Sequence, residues 1–143
     1  MNHIQKKYPY FWILAEINAQ FALDPSLKNI LSNTNPLDNI RPKSYENVPY
    51  LNNFFKKFFK ILIKSEDNNE KLIALLSVTG VTLYLQPFYE GNSRTLKHFI
   101  SIILKKLNYD YTFNHEDFII PMLYEGEEAT LNDLKKLQMK IKS

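Results

Sequence analysis

The chain has 143 residues, 45% hydrophobic and 23% charged, which are the proportions of one folded domain with a core of its own. Eighteen basic against fifteen acidic side chains leave a net charge of +3, and the lack of cysteine excludes disulfides, thiolate nucleophiles and cysteine-ligated metals. No apolar run approaches the roughly 18 residues of a membrane span, and the start, MNHIQKKYPY, lacks the apolar core of a secretory signal. A single domain over residues 1–143, away from membranes and cytoplasmic, is therefore expected.

Residues 10–23, YFWILAEINAQFAL, read as an apolar-rich helix that Asp24-Pro25 breaks, with Ser26 placed to cap a short helix through Leu31. Residues 32–47, SNTNPLDNIRPKSYEN, have loop composition. Within them Asn39-Ile40-Arg41 reads as a short extended piece, because a residue before proline is pushed out of the helical region. A helix is predicted over residues 49–64, with Leu51, Phe54, Phe55, Phe58, Phe59, Leu62 and Ile63 on its buried side. Its lysines 56, 57, 60 and 64 then form a solvated face, as do those at 105, 106, 135, 136, 140 and 142. A nucleic-acid surface needs exposed aromatics among its basic residues. The phenylalanines here repeat at helical spacing instead, so a nucleic-acid partner is not expected.

Residues 65–69 read as a polar turn. Residues 70–85 then read as a helix apolar on nearly every side, which implies a place at the centre of the fold, with Gly80 inside it allowing close packing. Pro87 ends that helix and residues 88–93 form a loop. A further helix starts near Arg94 and runs to Leu107, where Asn108 terminates it. Residues 114–125 and 129–142 give two more. The fold class is all-α.

The loop lies at the junction of the central helix and the next one, in the stretch YLQPFYEGNSRTLK over residues 84–97. Unpaired N–H groups at a helix start attract anions. Gly91 and Asn92 tolerate left-handed backbone, which lets successive amides turn inward as a nest. Arg94 adds a forked cation for phosphate oxygens. Glu90 adds a hard oxygen ligand of the kind Mg²⁺ takes beside substrate phosphates. Ser93 is also of a type that caps helices.

The ordered string Gln86-Pro87-Phe88-Tyr89-Glu90-Gly91-Asn92-Ser93-Arg94-Thr95-Leu96-Lys97 resembles the signature of the Fic (filamentation induced by cAMP), or Fido, family, which reads His-Pro-Phe-x-Asp/Glu-Gly-Asn-Gly-Arg-x-x-Arg. In that family the signature follows a long buried helix and opens another. An upstream loop, often Gly-x-Ile-Arg, forms a flap that holds the target, and Leu37-Asp38-Asn39-Ile40-Arg41-Pro42 is similar to it. The resemblance covers roughly residues 35–112. It implies a Fic-type helical bundle with a short β-hairpin flap, and transfer of AMP from ATP, with Mg²⁺, to a hydroxyl of a target protein. By position Glu90 would hold Mg²⁺, while Gly91, Asn92, Ser93, Arg94 and Lys97 would hold the phosphates. Phe88 would anchor the loop in the core, and Asn39, Ile40 and Arg41 would form the target flap.

Three positions depart from the signature. Gln86 stands where the family has the histidine that takes the proton from the incoming hydroxyl. A carboxamide accepts no proton near neutral pH, and losing a general base costs on the order of 10²- to 10⁴-fold in rate. Ser93 replaces a glycine, and Lys97 replaces an arginine, keeping the charge without the fork. His98, one helical turn past Arg94, reads as a half-buried structural residue, and His3 and His115 lie outside the matched stretch. The family's inhibitory pattern, Ser/Thr-x-x-x-Glu-Gly/Asn, is matched in full neither at Thr112 to Glu116, which Asp117 follows, nor before Glu125-Gly126, where Pro121 stands. Inhibition would then come from a partner protein or be unneeded. The expectation is a nucleotide- or phosphate-binding protein impaired in transfer. The alternatives are an active nucleotidyl- or phosphotransferase, or a non-enzymatic module that pairs its flap with a partner's strand.

Overall fold

The computed structural model describes residues 3–21, 40–41, 45–109 and 128–139. Six helices are present among them: α1 (His3–Lys7), α2 (Pro9–Phe21), α3 (Val48–Lys64), α4 (Asn68–Leu85), α5 (Asn92–Lys106) and α6 (Leu131–Gln138). The described residues contain no sheet, and their β-pairing is an isolated antiparallel bridge between Ile40 and Phe88. An all-α architecture follows. The expected helices at residues 26–31 and 114–125, and the segments of residues 112–117 and 121–126, lie outside the described residues.

Helix α4 packs against α3, α5 and α6, and α2 packs against α3 and α5. Neighbours on three sides explain why α4 is apolar all round: Leu72, Leu75, Leu76, Val78 and Val81 are buried, and so are Ser77, Thr79, Gly80 and Thr82. The hydroxyls of Thr79 and Thr82 enter this interior by donating to the carbonyls of Leu75 and Val78, one turn back. Asp67 opens the helix, its carboxylate accepting the Asn69 N–H at 2.9 Å, so α4 starts inside the predicted polar turn.

Helix α3 buries Val48, Leu51, Asn52, Phe55 and Phe58, a stripe with the three- and four-residue steps of a helix face. Phe54, Phe59 and Leu62 pack half-buried at its edge. Ile63 departs from the expectation, for it is 81% exposed. Eight residues past Phe55, it sits roughly 80° around the helix from the core-facing axis, in the last turn. Phe99 of α5 closes the cluster, its ring centroid 5.4 Å from that of Phe55 and 5.8 Å from that of Phe58. Lys56, Lys57, Lys60 and Lys64 are exposed on the opposite face, as the spacing requires.

Two polar side chains join elements far apart in sequence. Asn52 is buried in α3, and its Oδ1 accepts the N–H groups of Tyr10 at 2.9 Å and Phe11 at 3.0 Å. These are first-turn amides of α2 that have no acceptor within that helix, and Pro9, the residue before them, brings no N–H to satisfy. Asn52 therefore caps α2 from the side of another helix. Ser77 of α4 accepts the Ala129 N–H at 2.9 Å and ties down the approach to α6. A capping box between Thr130 and Asp133 opens α6, whose Leu134 and Leu137 are buried.

Candidate functional site

The loop between α4 and α5 begins where α4 stops. Gln86 caps the C-terminus with φ 43° and ψ 66°, a left-handed conformation that costs a non-glycine residue about 1 kcal/mol or more. Its N–H still reaches the Thr82 carbonyl at 2.9 Å, and Pro87, without an N–H, cannot carry the helix on. Gln86 itself is exposed. Strain of this kind persists where the surrounding structure over-determines the backbone, and three contacts do so here.

The first contact is with the segment at residues 40–41. Ile40 bridges antiparallel to Phe88, and the Arg41 N–H donates to the Pro87 carbonyl at 2.9 Å. The short extended piece expected around Asn39-Ile40-Arg41 is therefore present at Ile40 and lies along the first residues of the loop. Asn39 is outside the described residues. The second contact is the Phe88 ring, which is 1% exposed and stacks on Phe11 of α2 at 6.0 Å, so the loop is anchored in the core at this residue.

The third contact is the side chain of Asn92. Its Oδ1 accepts the Phe88 N–H at 3.1 Å and its Nδ2 donates to the Phe88 carbonyl at 2.9 Å. One carboxamide thus closes the turn on itself with both of its polar atoms. Between the clamped ends, Tyr89 and Glu90 are exposed and Gly91 takes φ 76° and ψ 21°. Here glycine matters, because the chain must reverse within one residue before the helix starts.

Gly91 is the N-cap of α5, so the helix opens at Asn92, two residues before the predicted start. Ser93, read as a possible cap, is the second residue of the helix and is exposed, and no side chain caps this end. The amides of Asn92 and Ser93 belong to the first turn, which has no acceptors within the helix. Their dipoles favour a negative charge in front of them. Arg94 and Lys97 stand one turn apart, both half-buried. Burial, then the Arg94 charge beside it, lowers the pKa of Lys97 below the usual lysine range. An anion shared by the two would relieve that repulsion. His98 is half-buried on the same helix, and His3 is exposed on α1.

Among the described residues there is no group of three or more histidines and carboxylates able to hold a metal. The exposed carboxylate of Glu90 fits a different case, because Mg²⁺ keeps several waters and takes one or two carboxylates when substrate phosphates supply the rest. A groove of about 280 Å³ between α3 and α4, lined by Phe54, Lys57, Phe58, Ile73 and others, shares no residue with the loop.

The structure thus brings Ile40 and Arg41 to Pro87 and Phe88, sets Gly91, Asn92 and Ser93 in sequence at a helix start, and puts Arg94 beside Lys97. It also adds one residue that lies outside the signature string. Asn18 of α2 is fully buried, and its Nδ2 donates to the Glu90 carbonyl and to the Thr95 hydroxyl, both at 3.0 Å. A signal was available: Phe11, Leu14, Ala15 and Asn18 follow one helical stripe, so a polar side chain had to enter the core there. No helix among the described residues is long and apolar enough to cross a membrane. Comparison with protein-family models, with curated proteins and with solved structures finds no match to this chain.

Proposed function

We propose that residues 84–97 are the phosphate cradle of a Fic-like nucleotide-binding domain, and that Gln86 leaves it impaired in AMP transfer to a target hydroxyl. The observation that carries this reading is the pairing of Ile40 with Phe88 beside a left-handed Gly91 that opens α5. The flap-like segment and the signature string, which contains the helix start, lie far apart in the sequence, and here they adjoin. The backbone N–H groups of Asn92 and Ser93 would face the phosphates, with Arg94 and Lys97 as cations. Glu90 would hold Mg²⁺, which supplies charge neutralisation of the phosphate oxygens when bound. Asn39, Ile40 and Arg41 would align an extended segment of the target by backbone pairing.

The chemical limit is at Gln86. Its carboxamide can donate a hydrogen bond to a hydroxyl and hold it in place, but cannot take its proton near neutral pH. Binding is therefore retained in this reading, while the rate falls by about 10²- to 10⁴-fold for want of a base.

Calorimetric titration with ATP and Mg²⁺ tests the cradle: binding is expected, weakened in Glu90→Ala and Arg94→Ala. Radiolabelled ATP with cell extract tests the chemistry, with Gln86→His expected to label targets and the unaltered chain not. Equal labelling by both refutes the impairment. Absence of any ATP binding favours the second reading, a non-enzymatic module using the extended backbone at Ile40, which the bridge to Phe88 supports on its own.

A further inference from the structure

We propose that Asn18 is a positioning residue for this site: from α2 it fixes the backbone at Glu90 and so sets where the Glu90 carboxylate stands relative to the start of α5. The proposal rests on the reading of residues 84–97 as a phosphate cradle. Its geometry comes from a different element. Asn18 is fully buried in α2. One atom, Nδ2, carries two N–H groups, and these go to two elements: the Glu90 carbonyl of the loop and the Thr95 hydroxyl of α5, each at 3.0 Å. No other neutral side chain offers two donors on one atom except glutamine, which is one methylene too long for the same place. Thr95 is itself fully buried, and its N–H closes the first backbone turn of α5 onto the Gly91 carbonyl at 2.8 Å. Asn18 thus joins the loop to the helix on both sides of Gly91.

The consequence for chemistry concerns direction. Glu90 is exposed, and its neighbour Gly91 has the freest backbone of any residue type. With the Glu90 carbonyl held from below, the peptide between them keeps one orientation, and the carboxylate starts from a fixed Cα beside the first-turn amides. Without that bond the clamp of Asn92 on Phe88 still closes the front of the turn, but the Glu90–Gly91 peptide can rotate. A metal-binding carboxylate set back by such rotation loses its partner geometry, and small misplacements at a site carry large effects.

Amide exchange and ligand titration on the whole chain test this. Exchange is read at Gly91 and Phe88 relative to Leu76 in the buried centre of α4, which corrects for any global loss of stability. In Asn18→Ala the Gly91 ratio rises about tenfold, the effect of about one lost buried hydrogen bond, while the Phe88 ratio, still held by the Asn92 clamp, stays within about threefold. Asn18→Asp, which keeps the shape but replaces the donor with an acceptor, gives the same rise. Thr95→Val, which removes only the other partner, leaves the Gly91 ratio within about threefold of the unaltered chain. If Asn18→Asp behaves as the unaltered chain, or Thr95→Val matches Asn18→Ala, the proposal is overturned. Should the Asn18 variants fail to fold, the unaltered chain still decides: the Asn18 side-chain N–H protons must exchange slowly and show contacts to Glu90 and Thr95, and solvent-rate exchange overturns the proposal. In the titration with ATP and Mg²⁺, Asn18→Ala binds about tenfold more weakly and loses part of the Mg²⁺ dependence that Glu90→Ala loses in full. Undiminished, Mg²⁺-dependent binding by Asn18→Ala overturns it. If the unaltered chain binds no ATP, the nucleotide reading falls, and the exchange ratios still decide whether Asn18 sets the loop.

Discussion

Replacing Asn92 by alanine separates a structural clamp from a ligand contact. In the structure the Asn92 side chain makes two hydrogen bonds to one residue, accepting the Phe88 N–H at 3.1 Å and donating to the Phe88 carbonyl at 2.9 Å. Each such bond contributes about 1 kcal/mol net, and a partly buried backbone group left unpaired costs about 1–3 kcal/mol. Water reaches part of this turn, so the lower end applies and Asn92→Ala should lose about 2–3 kcal/mol. At about 2–4 °C per kcal/mol for a chain near this length, the melting temperature should fall by about 4–12 °C. Asn92→Asp keeps the acceptor and sets a carboxylate against the Phe88 carbonyl. Its place in the first turn of α5 returns about 0.3–1 kcal/mol through the helix dipole, so the net loss should be about 1 kcal/mol. Urea unfolding of the ligand-free protein, with the melting temperature as a check, measures both. A loss below about 0.5 kcal/mol in Asn92→Ala, the range of ordinary surface substitutions, refutes the clamp and leaves Asn92 a ligand contact at most.

Three further outcomes are expected. Asn52→Leu should cost about 2–3 kcal/mol, because two first-turn amides of α2 lose their acceptor, whereas Asn52→Asp keeps an acceptor oxygen and should cost less; equal stability of the two in urea refutes the cap. Gly91→Ala, at φ 76°, should destabilise by about 1–2 kcal/mol, and Gln86→Gly, at φ 43°, should stabilise by up to about 1 kcal/mol; shifts of the same sign in the denaturation midpoint contradict the backbone assignment. Lys97 has its pKa lowered by burial and by Arg94, so the folded protein releases this proton at a lower pH than the unfolded chain, whose lysine titrates near 10.5. Between the lowered pKa and 10.5 the unfolded state binds more protons and stability from this group rises with pH, while at neutral pH the penalty is fully present. Lys97→Gln should therefore be more stable than the unaltered chain at neutral pH, with the difference shrinking as alkali is added; a difference independent of pH rules out the lowered pKa.

Much of the helical layout was legible because it depends on neighbours within one turn. Spacing and breakers marked α2, α3, α4 and α5 to within about two residues, the usual uncertainty of helix ends. The all-round apolar character of α4 located it at the centre. The boundary of α5 was missed for a local reason, since Gly91 rather than Ser93 took the cap and drew Asn92 into the helix. Ile63 is apolar and close to the stripe, but its exposure depends on how far the neighbouring helices extend over the last turn of α3, which spacing does not specify.

At the loop, the identities of Glu90, Gly91, Asn92 and Arg94 were enough to raise an anion cradle as a possibility, since helix starts, left-handed residues and fixed cations have the same chemistry in any context. The tertiary structure decided what those residues do for one another. Asn92 spends both polar atoms on Phe88, Ile40 lies along the first strand-like residue of the loop, and Asn18 reaches Glu90 and Thr95 across 72 and 77 positions. Hydrophobic periodicity reports which face of a helix is buried but not what a buried polar side chain meets there. That partner is fixed only when α2 and α5 pack, and with it the backbone at Glu90.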